Sequence, residues 1–333
     1  MRRKGRHLEV CLTEDVEYRT RRTGFEALDL PYRALPETDL ARIDTTCAFL
    51  GKTLRAPLLI GAMTGGAELA GLINRHLAEA AARVGVGMML GSQRVMLERP
   101  AARASFAVRG VAPDILLVGN LGVAQLLQGY GVDEIRAARD IVDADAVALH
   151  TNPLQEALQD GGDGDFRGLI ERLRVVVREA DVPVLLKEVG HGISGEVARA
   201  VEGIPFAAID VAGAGGTSWA KVEDLVRFGE VRHHDLVEWG IPTVTALRDV
   251  RRALPHMPLV ASGGVRSGLD VAKGLVLGAH VAAVARPLLA PALESADAVV
   301  AVLERYVYEL RVAMHGCGVA DLAALRALTL EEG

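Results

Sequence analysis

The run His150-Thr151-Asn152-Pro153-Leu154-Gln155-Glu156 places an imidazole, two amides and a carboxylate together in a few residues. It follows the apolar stretch Ala144-Asp145-Ala146-Val147-Ala148-Leu149, which has the character of a buried strand. Polar groups at the mouth of such a strand must be paired. Amides with a carboxylate are suited to holding a metal or a polar ligand. The competing reading is a capped turn, in which Asn152 and Pro153 stop the strand and open a helix. Lys187 raises a similar question at the end of Val184-Leu185-Leu186. Its ammonium either snorkels to water or pairs with a negative charge on a ligand. It could serve an anionic reduced flavin or form a Schiff base, and the lysine alone leaves both open.

These residues need elements to position them. From about residue 56 a unit recurs: an apolar run, a polar or glycine-rich corner, then an amphipathic helix. The runs fall at 57–63, 85–90, 114–118, 144–149, 182–187, 206–211, 257–261 and 280–285. Helical periodicity lies between them at 69–83, 133–140, 166–180 and 267–277. Continuously apolar strands imply burial on both faces, hence a parallel sheet. Eight strand–helix units predict an α/β fold, a TIM (β/α)8 barrel with an N-terminal extension, ahead of a doubly wound open sheet. The extension spans residues 1–50, rich in charge and turn formers and without sustained periodicity. The barrel domain spans 51–333. Pro242 makes the stretch 241–245 the start of a helix rather than a ninth strand. The insertion at 215–240 reads as an active-site lid.

In a TIM barrel the strand C-termini carry the chemistry, and the loops after strands seven and eight form the customary phosphate site. Ser262-Gly263-Gly264-Val265-Arg266 therefore reads as a phosphate grip with Arg286 beside it. A tight turn would need the glycines but not the arginines. A phosphate grip in such a barrel makes a flavin a good candidate for Lys187. Taken singly, Asn120 is a turn former and Ser92 a helix cap; as members of one ring of corners they line the pocket. His233 and His234 read as solvated loop residues, and Met88, Met89 and Met96 as packing. Arg3, Lys4 and His7 form a basic cluster, either a solvated tail or an arm that folds over the barrel mouth onto an anionic substrate.

The 333 residues carry a net charge of -6 and a pI of about 5.9, which argues against a nucleic-acid partner. The cysteines Cys11, Cys47 and Cys317 are odd in number and widely spaced, so no disulfide framework or cysteine zinc site is expected. No apolar signal region opens the chain. The stretch 271–293 is interrupted by Lys273, His280 and Arg286, so no membrane span and a cytoplasmic location are expected.

Taken in order, the corners resemble the type II isopentenyl-diphosphate isomerases, which are FMN-dependent TIM-barrel enzymes. The resemblance covers nearly the whole chain. It is carried by Arg3-Lys4 with His7, Ala62-Met63-Thr64-Gly65-Gly66, Gly91-Ser92-Gln93-Arg94, Asn120-Leu121-Gly122 and Asn152-Pro153-Leu154-Gln155-Glu156. Lys187-Glu188, Gly215-Gly216-Thr217 with Trp219, and Ser262-Gly263-Gly264-Val265-Arg266-Ser267-Gly268 complete it. It implies interconversion of isopentenyl and dimethylallyl diphosphate with reduced FMN and Mg²⁺, NADPH being the reductant. Protonation of the alkene and loss of an allylic proton would be mediated by the reduced flavin.

By the same resemblance Ala62, Met63, Thr64, Ser92, Asn120, Lys187 and Thr217 contact the flavin. Gly263, Gly264, Val265, Arg266, Ala285 and Arg286 surround its phosphate. Arg3, Lys4, Ser92, Gln93, Arg94 and Gln155 bind the substrate, and Glu156 binds the metal. His7, His150 and Asn152 join the diphosphate pocket, and Gln155, His150 and Asn152 are the expected catalytic residues. Thr151 departs from the family pattern where an apolar residue is common. Ala212 stands where a serine often helps hold the flavin. A homo-oligomer, tetramer or octamer, is implied. The rival readings are an FMN-dependent α-hydroxy-acid oxidase or dehydrogenase, and a flavin- or diphosphate-binding protein without turnover. The first needs a histidine base that the strand-six corner Gly213-Ala214-Gly215-Gly216-Thr217 lacks.

Overall fold

The eight apolar runs pair edge to edge in a computed structural model that describes residues 2–66 and 68–333, with side chains described from residue 5. The strands are β1 (Leu58–Ile60), β2 (Gly87–Met89), β3 (Leu117–Gly122), β4 (Ala146–His150), β5 (Val184–Lys187), β6 (Ala208–Asp210), β7 (Leu259–Ala261) and β8 (Val281–Val284). All pairings between them are parallel. Ala282 of β8 lies opposite Leu58 of β1, which closes the barrel. Each strand overlaps an expected run, although β3 begins only at the end of the run 114–118 and continues through the expected corner 119–122; the open-sheet alternative is excluded by the closure.

Alternation along the strands explains why the runs are apolar throughout. Leu58 and Ile60, Val147 and Leu149, and Val184 and Leu186 face the surrounding helices. Leu59, Ala146, Ala148, Leu185, Ala208 and Val260 fill the barrel interior. A hairpin of Cys47–Phe49 with Lys52–Leu54 adds Phe49 and Leu54 to that interior, plugging the end from which the strands start. The next inward positions along β3 to β7, two residues on from an interior side chain, are Asn120, His150, Lys187, Asp210 and Ser262. The period of two thus brings a polar layer to the barrel mouth.

Two elements differ from the sequence reading. The start of the extension is a helix, Arg2–Thr13, whose Val10 packs with Val16, Val222 and Leu225. The insertion after β6, read only as an active-site lid, is built on a helix. It contains the helix Trp219–Phe228, begun by Ser218, whose Oγ accepts from Lys221 N, and it buries Ala220 to Leu225. The two helices hold one another over the barrel mouth. His233 is also more than a solvated loop residue: its ring Nδ1 lies 2.6 Å from Asp224 Oδ1. Pro242 directly precedes the helix Thr243–Ala253, so the ninth-strand alternative falls away. Among the described residues no helix is long and apolar enough to cross a membrane.

Candidate active site

The strand ends surround a cavity of about 410 Å³. Its floor is the polar layer. The ring Nδ1 of His150 lies 2.6 Å from Asn120 Oδ1, and Asn120 Nδ2 donates to Leu90 O. Lys187 is buried and stands opposite Asp210 in the β5–β6 register. Asp210 Oδ1 accepts from Ser262 Oγ and from Ala212 N. Burial pushes the Asp210 carboxyl above the ordinary carboxylate range, against the opposing pull of Lys187 and of those hydrogen bonds. Asp210 was missed in the sequence because it sits inside the apolar run 206–211. The inward period of two would have found it.

At the β7 and β8 corners Gly263, Gly264, Val265, Arg266, Ala285 and Arg286 all line the cavity. Gly263 and Gly264 have φ of +95° and +72°. A Cβ on Gly263 would lie 2.0 Å from Gly213 O, and one on Gly264 would lie 2.4 Å from Thr23 Cγ2. Only glycine fits this bend, which packs closely on Gly213 and Thr23 while lining the cavity. Arg286 Nε is buried and has no hydrogen-bond partner among the described residues. A glycine cradle with two arginines and an orphaned donor fits a phosphate group. Ala62, Met63, Thr64, Ser92 and Thr217 line the same cavity between this cradle and the floor residues Asn120 and Lys187. These residues fit the FMN expected from the sequence. Ala212 takes φ +35°, so at this corner its backbone is held in a strained form.

The β4 corner lies across the cavity. Asn152 opens the helix Pro153–Leu158, which presents Gln155 and Glu156. Asn152 Nδ2 donates to Gln155 Oε1 at 3.0 Å and to Glu156 Oε1 at 2.9 Å. Gln155 Nε2 donates to Glu223 Oε1 at 2.8 Å, and His7 Nε2 lies 3.0 Å from the same oxygen, at ion-pair distance without hydrogen-bond alignment. His7 meets Trp219 edge to face, with ring centroids 5.7 Å apart. The network therefore runs from the barrel corner to both overlying helices. Glu223 is buried and was not singled out in the sequence, because its partners lie on distant elements. Glu156 Oε2 accepts from Gln159 Nε2 and Asp163 N. The run does stop the strand and open a helix at Asn152-Pro153, while its polar side chains line the cavity, where a ligand could be held. Among the described residues no three metal-binding side chains cluster. A cation at Glu156 would take its other ligands from water and from a ligand's phosphates, which is ordinary for Mg²⁺.

Arg94 lines the cavity and pairs with Glu98 at 2.7 Å. Gln93 does not line it, contrary to the expectation that it binds substrate. Its side chain is fully buried behind the wall, donating to Ala138 O and accepting from Asn120 N. Those bonds pin β3 to its neighbours, and the second amide hydrogen is directed at Met96 Sδ, so no donor is left for a ligand. Glu188 likewise serves structure: its Oε2 accepts from the backbone N–H groups of Val189, Gly190, His191 and Gly192. The side chains of Arg3 and Lys4, expected to bind substrate, lie outside the described residues.

Barrel, phosphate cradle and polar floor define a flavin-type enzyme class, and a family profile described as FMN-dependent dehydrogenase matches residues 4–108 and 149–332. Solved mandelate oxidases share the fold. The structure with (S)-2-phenylpropionate gives a TM-score of 0.69 at 22% identity, covering 98% of this chain and 94% of that one. At that identity the likeness shows the fold alone. A protein of Mycolicibacterium vanbaalenii named isopentenyl-diphosphate delta-isomerase is 60% identical over 99% of this chain and 96% of its own. Proteins of the same name from Deinococcus radiodurans and a Nostoc species are 57% and 45% identical, each over 97% of this chain and over 96% and 93% of their own. The chain belongs to the isopentenyl-diphosphate delta-isomerase family, within the FMN-dependent dehydrogenase fold group.

Proposed function

We propose that this chain interconverts isopentenyl diphosphate and dimethylallyl diphosphate, using reduced FMN, Mg²⁺ and, as reductant, NADPH. The observation that carries the reading is a single cavity with two anion-accepting ends. One is the glycine cradle with Arg266 and Arg286, suited to a flavin phosphate. The other is the β4 corner with His150, Asn152 and Glu156, facing His7 and Arg94 and suited to a diphosphate with its cation.

The reaction adds a proton at the terminal alkene carbon and removes one from the allylic carbon, so the oxidation level does not change. Reduced FMN, when bound, supplies the proton donor and acceptor that an unactivated carbon demands. The chain's own residues bind, orient and exclude water. Glu156 would hold the cation, and Arg94 and His7 would meet the phosphates, with Arg3 and Lys4 as further substrate ligands. Gln155 is fixed at both ends of its amide, by Asn152 and by Glu223, so it presents one orientation to the reacting end of the substrate. Trp219 and the helix that carries it cover the mouth and give the five-carbon tail an apolar wall. Lys187 would stabilise negative charge on the reduced flavin.

An α-hydroxy-acid oxidase needs an imidazole base beside an arginine. The β6 corner instead offers Asp210, Ala212 and Thr217 to the cavity. We further take the protein to be a cytoplasmic homo-oligomer. The exposed apolar residues Tyr32 and Leu35, 82% and 85% accessible, favour self-association. The function is tested by turnover of isopentenyl diphosphate with FMN, Mg²⁺ and NADPH or dithionite. Isomerisation is expected only when the flavin is reduced, with no reductant consumed per turnover. Full activity with oxidised flavin under strict exclusion of reductant would overturn the mechanism. Flavin binding without any turnover would leave a binding protein.

A further inference from the structure

We propose that Glu17 is a specificity-determining residue of the flavin-phosphate site, its carboxylate competing with the phosphate for the same two guanidinium groups. The proposal rests on the FMN reading above and deepens it. Glu17 Oε1 accepts from Arg266 Nη2 and from Arg286 Nη1, both at 2.7 Å. These arginines come from two adjacent barrel corners and both line the cavity. Glu17 comes from the extension, some 250 residues away along the chain.

The fold keeps the carboxylate there. Ser218 N donates to Val16 O at 2.9 Å, and Tyr18 N donates to Gly216 O at 3.0 Å. Glu17 itself is bridged to Thr217. The extension is therefore stitched to the loop after β6 on both sides of Glu17. The carboxylate can leave the arginines only by turning its own side chain. That movement is cheap, because the pair is about one-third exposed and a solvent-screened ion pair contributes little. The two guanidinium groups are also not saturated, since Arg286 Nε has no partner among the described residues.

Charge counting gives the consequence. Two arginines and one carboxylate leave a single net positive charge beside the glycine cradle. A phosphate dianion at the cradle faces either a neighbouring carboxylate or arginines that Glu17 must first release. In both cases Glu17 weakens the side-chain part of the grip and leaves the backbone N–H groups as its main component. A flavin without a phosphate leaves Glu17 undisturbed. Glu17 thus lowers the preference for FMN over riboflavin below what two free arginines would give.

The test titrates flavin-free protein with FMN and with riboflavin, following flavin fluorescence, for wild type, Glu17→Gln and Glu17→Asp. Glu17→Gln should bind FMN about tenfold more tightly, with riboflavin affinity unchanged. Glu17→Asp keeps the charge but retracts it by one methylene, so a smaller gain is expected. It serves alone if the glutamine variant fails to fold. FMN affinity that is unchanged or weaker in the variants would overturn the proposal, because Glu17 would then be organising the arginines for the phosphate. No preference for FMN over riboflavin in either the wild type or Glu17→Gln would overturn the phosphate-site reading itself, and this inference with it.

Discussion

The proposed cation site turns on one residue, Glu156. Its two carboxylate oxygens already accept from Asn152, Gln159 and Asp163, which fixes the group at the rim of the cavity. Glu156→Gln keeps the size and removes the charge. Flavin binding and fold should persist, while the Mg²⁺ requirement rises and activity falls by about 10–100-fold, the worth of one charge-assisted interaction. Gln155→Ala should lower the rate with the Mg²⁺ midpoint unchanged, because its amide is tied to Glu223 and Asn152 rather than to the cation site. A Mg²⁺ titration of both variants beside the wild type decides between them. A wild-type midpoint and rate in Glu156→Gln would reduce the β4 corner to a helix cap. At this scale the run 150–156 was legible because its side-chain types are rare at the end of a buried strand. Gln93 was misassigned because a neighbour in sequence, Ser92, faces the cavity while Gln93 points the other way.

The elements that cover the site were the least legible. The helix Arg2–Thr13 begins with several bases and has no acid in its first turn, which opposes its dipole, and it contains Gly5. Isolated, such a helix is marginal; packing of Val10 on Val222 and Leu225 makes it. The helix Trp219–Phe228 is in turn anchored by Asp224, which is buried and accepts from Arg232 N, from His233 N and from the His233 ring. Burial alone would raise this carboxyl, but those hydrogen bonds hold it below the ordinary carboxylate range. A depressed acid stabilises the fold above its unfolded pKa and loses that contribution as pH falls through its folded one. Asp224→Asn should therefore cost about 2 kcal/mol at neutral pH. The gap to wild type should narrow as the solution is acidified below the ordinary carboxylate pKa and close as pH falls through the lower, folded one. Melting curves across pH read this directly; a gap independent of pH would mean that Asp224 acts by packing alone.

For the whole molecule, the barrel joins the phosphate cradle to the closing strands β7 and β8. A ligand gripped there should stabilise the global fold, since it binds the native state only. At 100 times its dissociation constant FMN should add about 2.7 kcal/mol. At equal concentration it should raise the melting temperature more than riboflavin or FAD, because the cradle suits a terminal monophosphate. Arg266→Ala should shrink the FMN increment toward that of riboflavin. Equal increments for all three flavins in the wild type would show that the cradle does not read the phosphate.

The sequence by itself determined a parallel α/β fold of eight strand–helix units, because strands buried on both faces must be apolar throughout; that the sheet closes rather than staying open was decided by the β8–β1 pairing. It also pointed to most of the corner residues that line the cavity, because glycine, arginine, lysine and amide side chains at strand ends have few structural uses; Gln93 and Glu188 are the exceptions, spent on backbone hydrogen bonds. That the insertion and the N-terminal arm cover the mouth was a sequence reading, but the contacts by which they do so were decided by tertiary structure alone. His7, Glu17, Trp219 and Glu223 reach the site only because two helices that are marginal in isolation pack on one another, and because the chain at 16–18 is stitched to the loop after β6. Such contacts join residues some 200 or more positions apart and leave no periodic trace in the chain. The inward turn of Asp210 is the intermediate case. The alternation that aims it was present in the sequence, but only the closed barrel shows which face is the inside.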